Sequence, residues 1–475
     1  MTDQLYSISL YTYPSSKCFI YPYSKHIADV TKTSNNRSLS DAVLKNRNGG
    51  IRVKFVGKDP WRSKLDGFVS SHNILIDMIL AMQKKNMQLL CCADLNIRGN
   101  SAGDFFFQDT TDPSTKAETE EPLQIACLQL ANDDKIRVIR LPETDLNGLW
   151  ETVRKYSIGR DQKYGVDVFK LNDTYWRTLE TSTSNNVNAR KLVMDILSYM
   201  DYNGWKRAVP FTCSRNISDR GIDSILFFRS QQQQKQNPRA FCAITLEGKH
   251  KIRLIGAAHD DPMTQQAFQR AVDKYWPLGV AETNRFSDSL QIKFHGNVWC
   301  PNTAPEDTRS ARFMCGVIQE LWYIGWRWHC ALDLSKSVQD KSSFYFCRTT
   351  DDDGLSGGRI GCVQPKREGK VNLVGFPPSS LDRTLRAVDR VQEFHKHKPD
   401  MATIKFPYTR LHYSNNTDSK SLTMKVYNNL LRAVAKNEGA IFLGTADISG
   451  KFHSTEDGSY SLDTDVFFLW FPRVD

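Results

Sequence analysis

The chain carries four copies of one pattern, a helix, a cap residue and two strands, and this internal repeat limits the folds that it can adopt. In the clearest copy, residues 311–348, apolar side chains recur on one helix face, at Met314, Val317, Ile318 and Leu321. Gly325 follows where a residue in the left-handed conformation would end that helix. Residues 326–332 and 344–346 then predict two strands. The other copies span 72–107, 189–229 and 422–471.

The residue that ends this helix is glycine or asparagine in every copy. Asn86, Gly204 and Gly439 occupy the position that Gly325 holds in the third copy. Glycine tolerates a positive φ angle without strain, and asparagine tolerates it better than most other residues. The sequence therefore predicts a left-handed backbone at all four caps.

An aspartate recurs eight residues after three of the caps, at Asp94, Asp333 and Asp447, whereas Thr212 holds this position in the second copy. A carboxylate at the end of a strand either contacts a ligand or closes a turn by accepting hydrogen bonds from nearby backbone N–H groups. Recurrence in several units of one chain favours the structural role, because separate active sites rarely repeat together with their surroundings.

Further elements precede each copy. Similar short strands begin at residues 17, 135, 251 and 370, and the three later ones follow another strand and a polar turn, which predicts a hairpin. A first helix is clearest at 265–275 and 381–394, and a third strand is expected at 53–55, 168–170, 292–294 and 404–406. The sequence thus predicts an α+β fold of four tandem repeats with the order β-β-α-β-α-β-β.

The repeat is long enough for each unit to form a domain. Matching strands are separated by 116 and 119 residues, and a unit of about 119 residues is an ordinary domain size. Polar segments at 110–121, 231–238 and 349–358 all follow the last strand of a unit and read as linkers. We therefore expect units at 1–121, 122–238, 239–358 and 359–475, with a degenerate first unit that lacks a clear first helix.

Composition indicates a globular cytoplasmic protein. Hydrophobic residues make up 40% of the chain and charged residues 24%, and the net charge of +10 over 475 residues permits an anionic partner without requiring one. The eleven cysteines include no CxxC spacing, so we expect reduced thiols rather than a disulfide framework. No run approaches the ~20 apolar residues that span a bilayer, so we expect no transmembrane segment.

Motifs for chemistry are weak. A GxSxG match at 354–358 places Ser356 after an acidic run rather than between a strand and a helix, where a nucleophile would stand. His395 and His397 are expected at the end of a helix, without a cysteine or carboxylate at metal-ligand spacing. We therefore expect no cofactor and no metal site, and the sequence leans against an enzyme.

Two groups of residues are candidates for ligand binding. Lysines stand in or beside the third strand next to phenylalanine, at Lys54, Lys170, Lys293 and Lys405. They form either a basic face or the ordinary solvated face of a sheet. Tryptophans follow the same strand, at Trp61, Trp176 and Trp299. They are either core aromatics or a platform on which bases stack.

These observations favour a non-catalytic binding or scaffold protein with a protein partner. What repeats is core and cap chemistry rather than a set of convergent polar groups. The alternative is a basic surface that binds single-stranded nucleic acid or anionic lipid headgroups through Lys54, Lys293 and Lys405. A third possibility is an enzyme whose site lies between units.

Overall fold

The structure is a computed structural model. It describes residues 5–11, 17–21, 43–47, 50–54, 66–93, 101–109, 123–177, 183–211, 223–230, 235, 237–286, 288–299, 304–334, 341–349, 357–366, 370–388, 393–406, 426–435, 440–448, 452–453, 460–461 and 466–472.

The described residues form seven α-helices and 26 strands. The helices are α1 Asp66–Gln83, α2 Glu143–Val153, α3 Thr183–Tyr202, α4 Pro262–Tyr275, α5 Ala304–Tyr323, α6 Pro378–Ala387 and α7 426–435. The strands of the first two units are β1 Leu5–Tyr11, β2 Lys17–Tyr21, β3 Val43–Arg47, β4 Gly50–Lys54, β5 Met87–Ala93, β6 Ser101–Asp109, β7 Leu123–Ala131, β8 Lys135–Ile139, β9 Ser157–Lys163, β10 Val166–Leu171, β11 Arg207–Phe211 and β12 Ser224–Ser230. Those of the last two are β13 Phe241–Glu247, β14 Lys251–Gly256, β15 Val280–Phe286, β16 Ser289–Phe294, β17 Trp326–Leu332, β18 Ser343–Arg348, β19 Arg359–Pro365, β20 Lys370–Val374, β21 Glu393–Lys398, β22 Met401–Lys405, β23 Ile441–Ala446, β24 Phe452–His453, β25 Tyr460–Ser461 and β26 Val466–Phe471.

Four six-stranded antiparallel sheets confirm the α+β class. Each sheet takes all its strands from one stretch of the chain, and the strand order is the same in all four: β3-β4-β2-β1-β6-β5, β9-β10-β8-β7-β12-β11, β15-β16-β14-β13-β18-β17 and β21-β22-β20-β19-β26-β23. The unit boundaries expected from the sequence stay a prediction. A two-stranded sheet, β24-β25, is added in the fourth unit.

Each sheet contains one strand more than the sequence predicts. The second and third units have the order β-β-α-β-β-α-β-β, because β9 and β15 precede the expected third strand. β3 and β21 hold the same place in the other sheets. These strands form the outer edge, and an edge strand that is solvated on both faces carries no apolar alternation. In β21 all six residues are exposed, and its first two residues were wrongly assigned to a helix, which instead ends at Ala387.

The predicted caps are confirmed wherever they are described. The φ angles of Asn86, Gly204 and Gly325 are 58°, 84° and 88°. Gly439 lies outside the described residues. The helix predicted at 265–275 is also present as α4, whose N-terminus is capped by the Asp261 side chain, which accepts a hydrogen bond from the Met263 N–H at 3.2 Å.

The four sheets close into a ring. The inner edge strands β5, β11, β17 and β23 contact one another in that order, and β23 contacts β5 again. The second helix of each unit packs between its own sheet and the next one, as α3 does against β13 and β14 and α5 against β19 and β20. Four hydrophobic cores result, and the fourth joins Leu5 and Phe106 of the first unit to Phe467 of the last. Central strands are therefore apolar on both faces.

The recurring aspartates lie at joints between neighbouring units. The Asp333 backbone N–H donates to the Asp223 carboxylate at 2.7 Å, and the Asp223 N–H donates to the Asp333 carbonyl at 3.3 Å. Asp447 and Ser342 repeat the arrangement at the next joint, with distances of 2.9 and 3.1 Å. Asp333 and Asp447 make these contacts through their backbone, so the role of their carboxylates stays a prediction, and Asp94 lies outside the described residues.

Among the described residues, no helix is both long enough and apolar enough to cross a bilayer.

Candidate functional site: four lysine corners

The candidate lysines are paired with a second lysine in every sheet. The directly opposed Cα partners across neighbouring strands are Lys17 and Lys54, Lys135 and Lys170, Lys251 and Lys293, and Lys370 and Lys405. Directly opposed residues of an antiparallel pair project from the same face of the sheet. We call each pair a lysine corner.

Like charges in this arrangement repel each other and destabilise the sheet. The positions that flank each pair in the same cross-strand row differ between units: Tyr11 and Val43, Ala131 and Gly159, Glu247 and Glu282, and Lys366 and Glu393. Only the two lysines are common to all four rows. The opposed lysine pair therefore recurs although the rest of the row varies.

The third corner has further basic residues beside it. Burial and the nearby charges of Lys293, Lys251 and Lys249 lower the pKa of His250. Glu247 lies opposite Lys251, but its carboxylate accepts two hydrogen bonds from Arg253, at 2.6 and 3.0 Å. Although burial alone would raise the pKa of Glu247, Arg253 lowers it, so this carboxylate is already neutralised.

Acidic neighbours differ among the other corners. In the fourth, the Lys405 ammonium lies 3.3 Å from the Glu393 carboxylate. In the second, Lys135 lies 3.8 Å from Asp134, whereas Lys170 is exposed and makes no ion pair with any described residue. Lys54 is likewise exposed, and the side chain of Lys17 lies outside the described residues. Lys54 and Lys170 therefore make no ion pair with a described acidic group, whereas Glu282 lies opposite Lys293.

Two of the candidate tryptophans are buried and form hydrogen bonds to the backbone of the lysine corners. Trp176 and Trp299 are fully buried, and their indole N–H groups donate to the backbone carbonyls of Lys135 and Lys251 at 2.9 and 2.7 Å. Neither ring presents a face to a ligand, so the stacking hypothesis is wrong for these two residues. They position the first residue of β8 and of β14 instead. Trp61 lies outside the described residues.

An exposed apolar side chain accompanies each corner on the outer strand or just before it. These residues are between 45% and 62% exposed: Val43, Ile158, Leu278 and Phe394. Val43 pairs directly with Lys54, while Ile158 and Phe394 adjoin the partners of Lys170 and Lys405. The sequence analysis missed this combination, because the outer strands themselves were not recognised.

All four corners lie on one side of the ring. Each corner contains the first residue of β2, β8, β14 or β20. The C-terminal end of the inner strand lies at this same end of the sheet. The joints between units link these same ends of neighbouring sheets. The aspartates of the joints, Asp223, Asp333 and Asp447, lie on this side too but next to the inner strands. The basic charge therefore lies towards the rim.

Other chemistry finds little support in the described part of the chain. It contains no group of three or more histidine, cysteine or acidic side chains that could hold a metal ion. His395 and His397 lie in β21 rather than at a helix end, and His397 contacts the Thr403 hydroxyl at 2.9 Å. The nine described cysteines are buried and form no disulfide with one another, and burial raises the pKa of Cys18 and Cys127. Ser356 lies outside the described residues.

Comparison with known proteins supports the repeat. One domain-family model matches the chain twice, at residues 124–229 and 240–347. These two stretches contain the second and third sheets, so both are copies of one domain. No curated protein and no solved structure matches the chain.

Proposed function

We propose that the protein is a non-catalytic binding protein that associates with anionic lipid headgroups through its four lysine corners. The observation that carries this proposal is the opposed lysine pair, which recurs in every sheet although it costs stability. Basic residues near an anionic membrane surface contribute about 1 kcal/mol each to binding. Four corners on one side of a ring act together on such a surface.

Lipid is favoured over nucleic acid by the groups beside the lysines. Peripheral membrane proteins combine cations with apolar side chains that enter the boundary between headgroups and acyl chains. Val43, which lies directly opposite Lys54 on the same face of its sheet, is 45% exposed. A binder of single-stranded nucleic acid uses aromatic faces on which bases stack, and Trp176 and Trp299 are buried. Buried reduced thiols and the anionic inner leaflet of the plasma membrane both suit a cytoplasmic protein.

A protein partner, which the sequence favours, is the second candidate because the outer strands have an unpaired edge. All six residues of β21 are exposed, and β21 pairs only with β22. An exposed edge strand is a template for strand addition by a partner chain. Outer edge strands recur in all four sheets too, but only the lysine corners place an unfavourable charge pair in each sheet, and we therefore place lipid first.

Vesicle sedimentation tests the proposal. Wild-type protein is mixed with vesicles of phosphatidylcholine alone or with phosphatidylserine added, and in parallel with a single-stranded RNA followed by fluorescence anisotropy. The variant Lys54→Glu/Lys170→Glu/Lys293→Glu replaces the two positive charges of three corners by one charge of each sign. Its control, Lys84→Glu/Lys85→Glu/Lys235→Glu, makes the same charge change at exposed lysines near the starts of inner strands or between sheets.

We expect binding to the phosphatidylserine vesicles only, its loss in the corner variant, and its retention in the control. Neither variant should lose much stability, because exposed charges contribute little to folding. RNA binding in place of vesicle binding, or equal losses in both variants, contradicts the lipid proposal. Failure to bind either ligand at low salt contradicts the basic-surface function altogether and leaves the protein partner.

A further inference from the structure

The four inner strands line a cavity on the ring axis that is open to solvent and separate from the lysine corners. Its volume is about 520 Å³, within the range of ~300–1,000 Å³ that holds small organic ligands. Every unit contributes to its wall, through residues of β5, β11, β17 and β23. Much of the wall is apolar, including Leu90, Pro210, Ile441 and Phe442.

Bulges give this cavity an irregular wall. The pairing register shifts between Leu89 and Cys91 in β5, between Trp328 and Cys330 in β17, and between Phe442 and Gly444 in β23. The residues at these shifts, Leu90, His329 and Leu443, all line the cavity. A bulge leaves one residue outside the hydrogen-bonded ladder and redirects its side chain, and bulges are enriched beside binding sites.

A single cation lies in this wall. Arg207, the first residue of β11, donates a hydrogen bond to the Leu90 carbonyl. Burial lowers its pKa to about 10, so the guanidinium stays charged at neutral pH. The cavity lining contains no carboxylate, and Arg207 makes no ion pair with any described residue. The Arg207 side chain is part-buried, and a guanidinium that has lost some of its hydration and has no counter-ion favours an anionic ligand.

Two further polar groups beside the cavity have no partner. Trp328 is 9% exposed and its indole N–H finds no acceptor among the described residues. The His329 Nε2 is also buried without a hydrogen bond. Burial, with smaller contributions from Arg239 and Lys206, lowers the pKa of His329 to about 4 although Asp201 opposes this, so the imidazole is neutral. A buried indole N–H is normally satisfied, as it is in Trp176, Trp205, Trp299 and Trp326.

We infer that the axial cavity binds a small, largely apolar carboxylate, whose charged group pairs with the Arg207 guanidinium. The planar fork of arginine matches the two oxygens of a carboxylate. The apolar wall accommodates the rest of such a molecule. The buried nitrogens of Trp328 and His329 lie behind this wall and take no part in the proposed contact.

Calorimetric titration of the intact wild-type chain with octanoate and octan-1-ol tests this site. The two probes share one alkyl chain and differ in the charged group. A charge-assisted hydrogen bond to arginine predicts a dissociation constant on the order of tenfold to a hundredfold lower for octanoate. The variant Arg207→Met, which keeps an unbranched side chain, should bind the two probes alike. Arg154→Met changes an exposed arginine directly after α2 and should keep the wild-type preference.

Equal affinity of the wild-type protein for the two probes overturns the inference, and so does the absence of saturable octanoate binding. The wild-type comparison decides the matter even if Arg207→Met does not fold. Retention of the octanoate preference by a folded Arg207→Met variant also overturns it. Vesicle binding plays no part in this test, so its result is independent of the proposed lipid function.

Discussion

Replacement of Trp299 by phenylalanine separates the two roles that its sequence position suggests. The indole is fully buried, stacks on Phe313 at 5.9 Å, and donates to the Lys251 carbonyl at 2.7 Å. Phenylalanine cannot donate, and a buried carbonyl left without its partner costs about 1–3 kcal/mol. The smaller ring adds a partly filled void, about 1 kcal/mol more. We therefore expect Trp299→Phe to lower the free energy of unfolding by about 2–4 kcal/mol.

Urea denaturation followed by circular dichroism measures this loss. The matched control is Trp150→Phe, because Trp150 is only half-buried and packs on Phe169 at 5.3 Å. It should cost less than half as much. At temperatures where Trp299→Phe remains folded, its affinity for anionic vesicles should stay within about twofold of wild type, since exposed lysines rather than this ring carry binding. Unchanged stability together with lost ligand binding would refute the burial argument and restore the stacking hypothesis.

Three further predictions follow from the caps, the linkers and the axial histidine. Gly325→Ala should cost about 1 kcal/mol or more in urea denaturation because φ is 88°, whereas Gly159→Ala, with open space around it and no positive φ, should be nearly neutral. Limited proteolysis should cut first near Glu118, Gln233 and Asp352, which lie outside the described residues, and early cuts within 189–229 would contradict the unit boundaries. The pKa of His329 is lowered to about 4 from its ordinary 6.5, so the unfolded chain binds the proton first and stability should fall as pH drops from 6.5 towards 4. That loss should be smaller in His329→Gln, and an unchanged pH profile in this variant would count against a buried neutral imidazole.

Much of the fold follows from local signals in the sequence. Helix faces such as Met314 to Leu321 and cap residues such as Gly325 are specified by nearby residues, because helix periodicity and a left-handed φ angle are local properties. The closing strands are equally legible, since they are apolar on both faces. Their two-sided burial results from the ring, in which each sheet lies between the helices of two units.

The outer strands and the ring itself could not be predicted in this way. β21 is charged and exposed along its whole length, so its sequence shows no alternation, and its strand conformation depends on pairing with β22. The contact between β23 and β5 joins residues more than 340 positions apart, and no local pattern marks it.

The sequence predicted the lysines of the candidate site but not their pairing across strands. All eight corner lysines are evident in the sequence as members of repeated strands, but their opposition depends on the register of neighbouring strands. Trp176 and Trp299 looked equally suited to the core and to a surface, because an indole has an apolar body and a polar edge. Only the two hydrogen bonds to lysine carbonyls distinguish these roles.

The most direct test of the central claim is the partition constant on phosphatidylserine-containing vesicles for a series of lysine-to-glutamine variants. The series neutralises Lys170, then Lys170 and Lys293, then Lys54 as well, and a parallel series neutralises Lys84, Lys85 and Lys235. At about 1 kcal/mol per lysine, each step at a corner should lower the partition constant about fivefold, while the parallel series should leave it unchanged. Lys405→Gln alone should have a smaller effect than Lys170→Gln, because Glu393 already neutralises part of its charge. Equal declines in the two series, or no decline at any corner, would contradict the account.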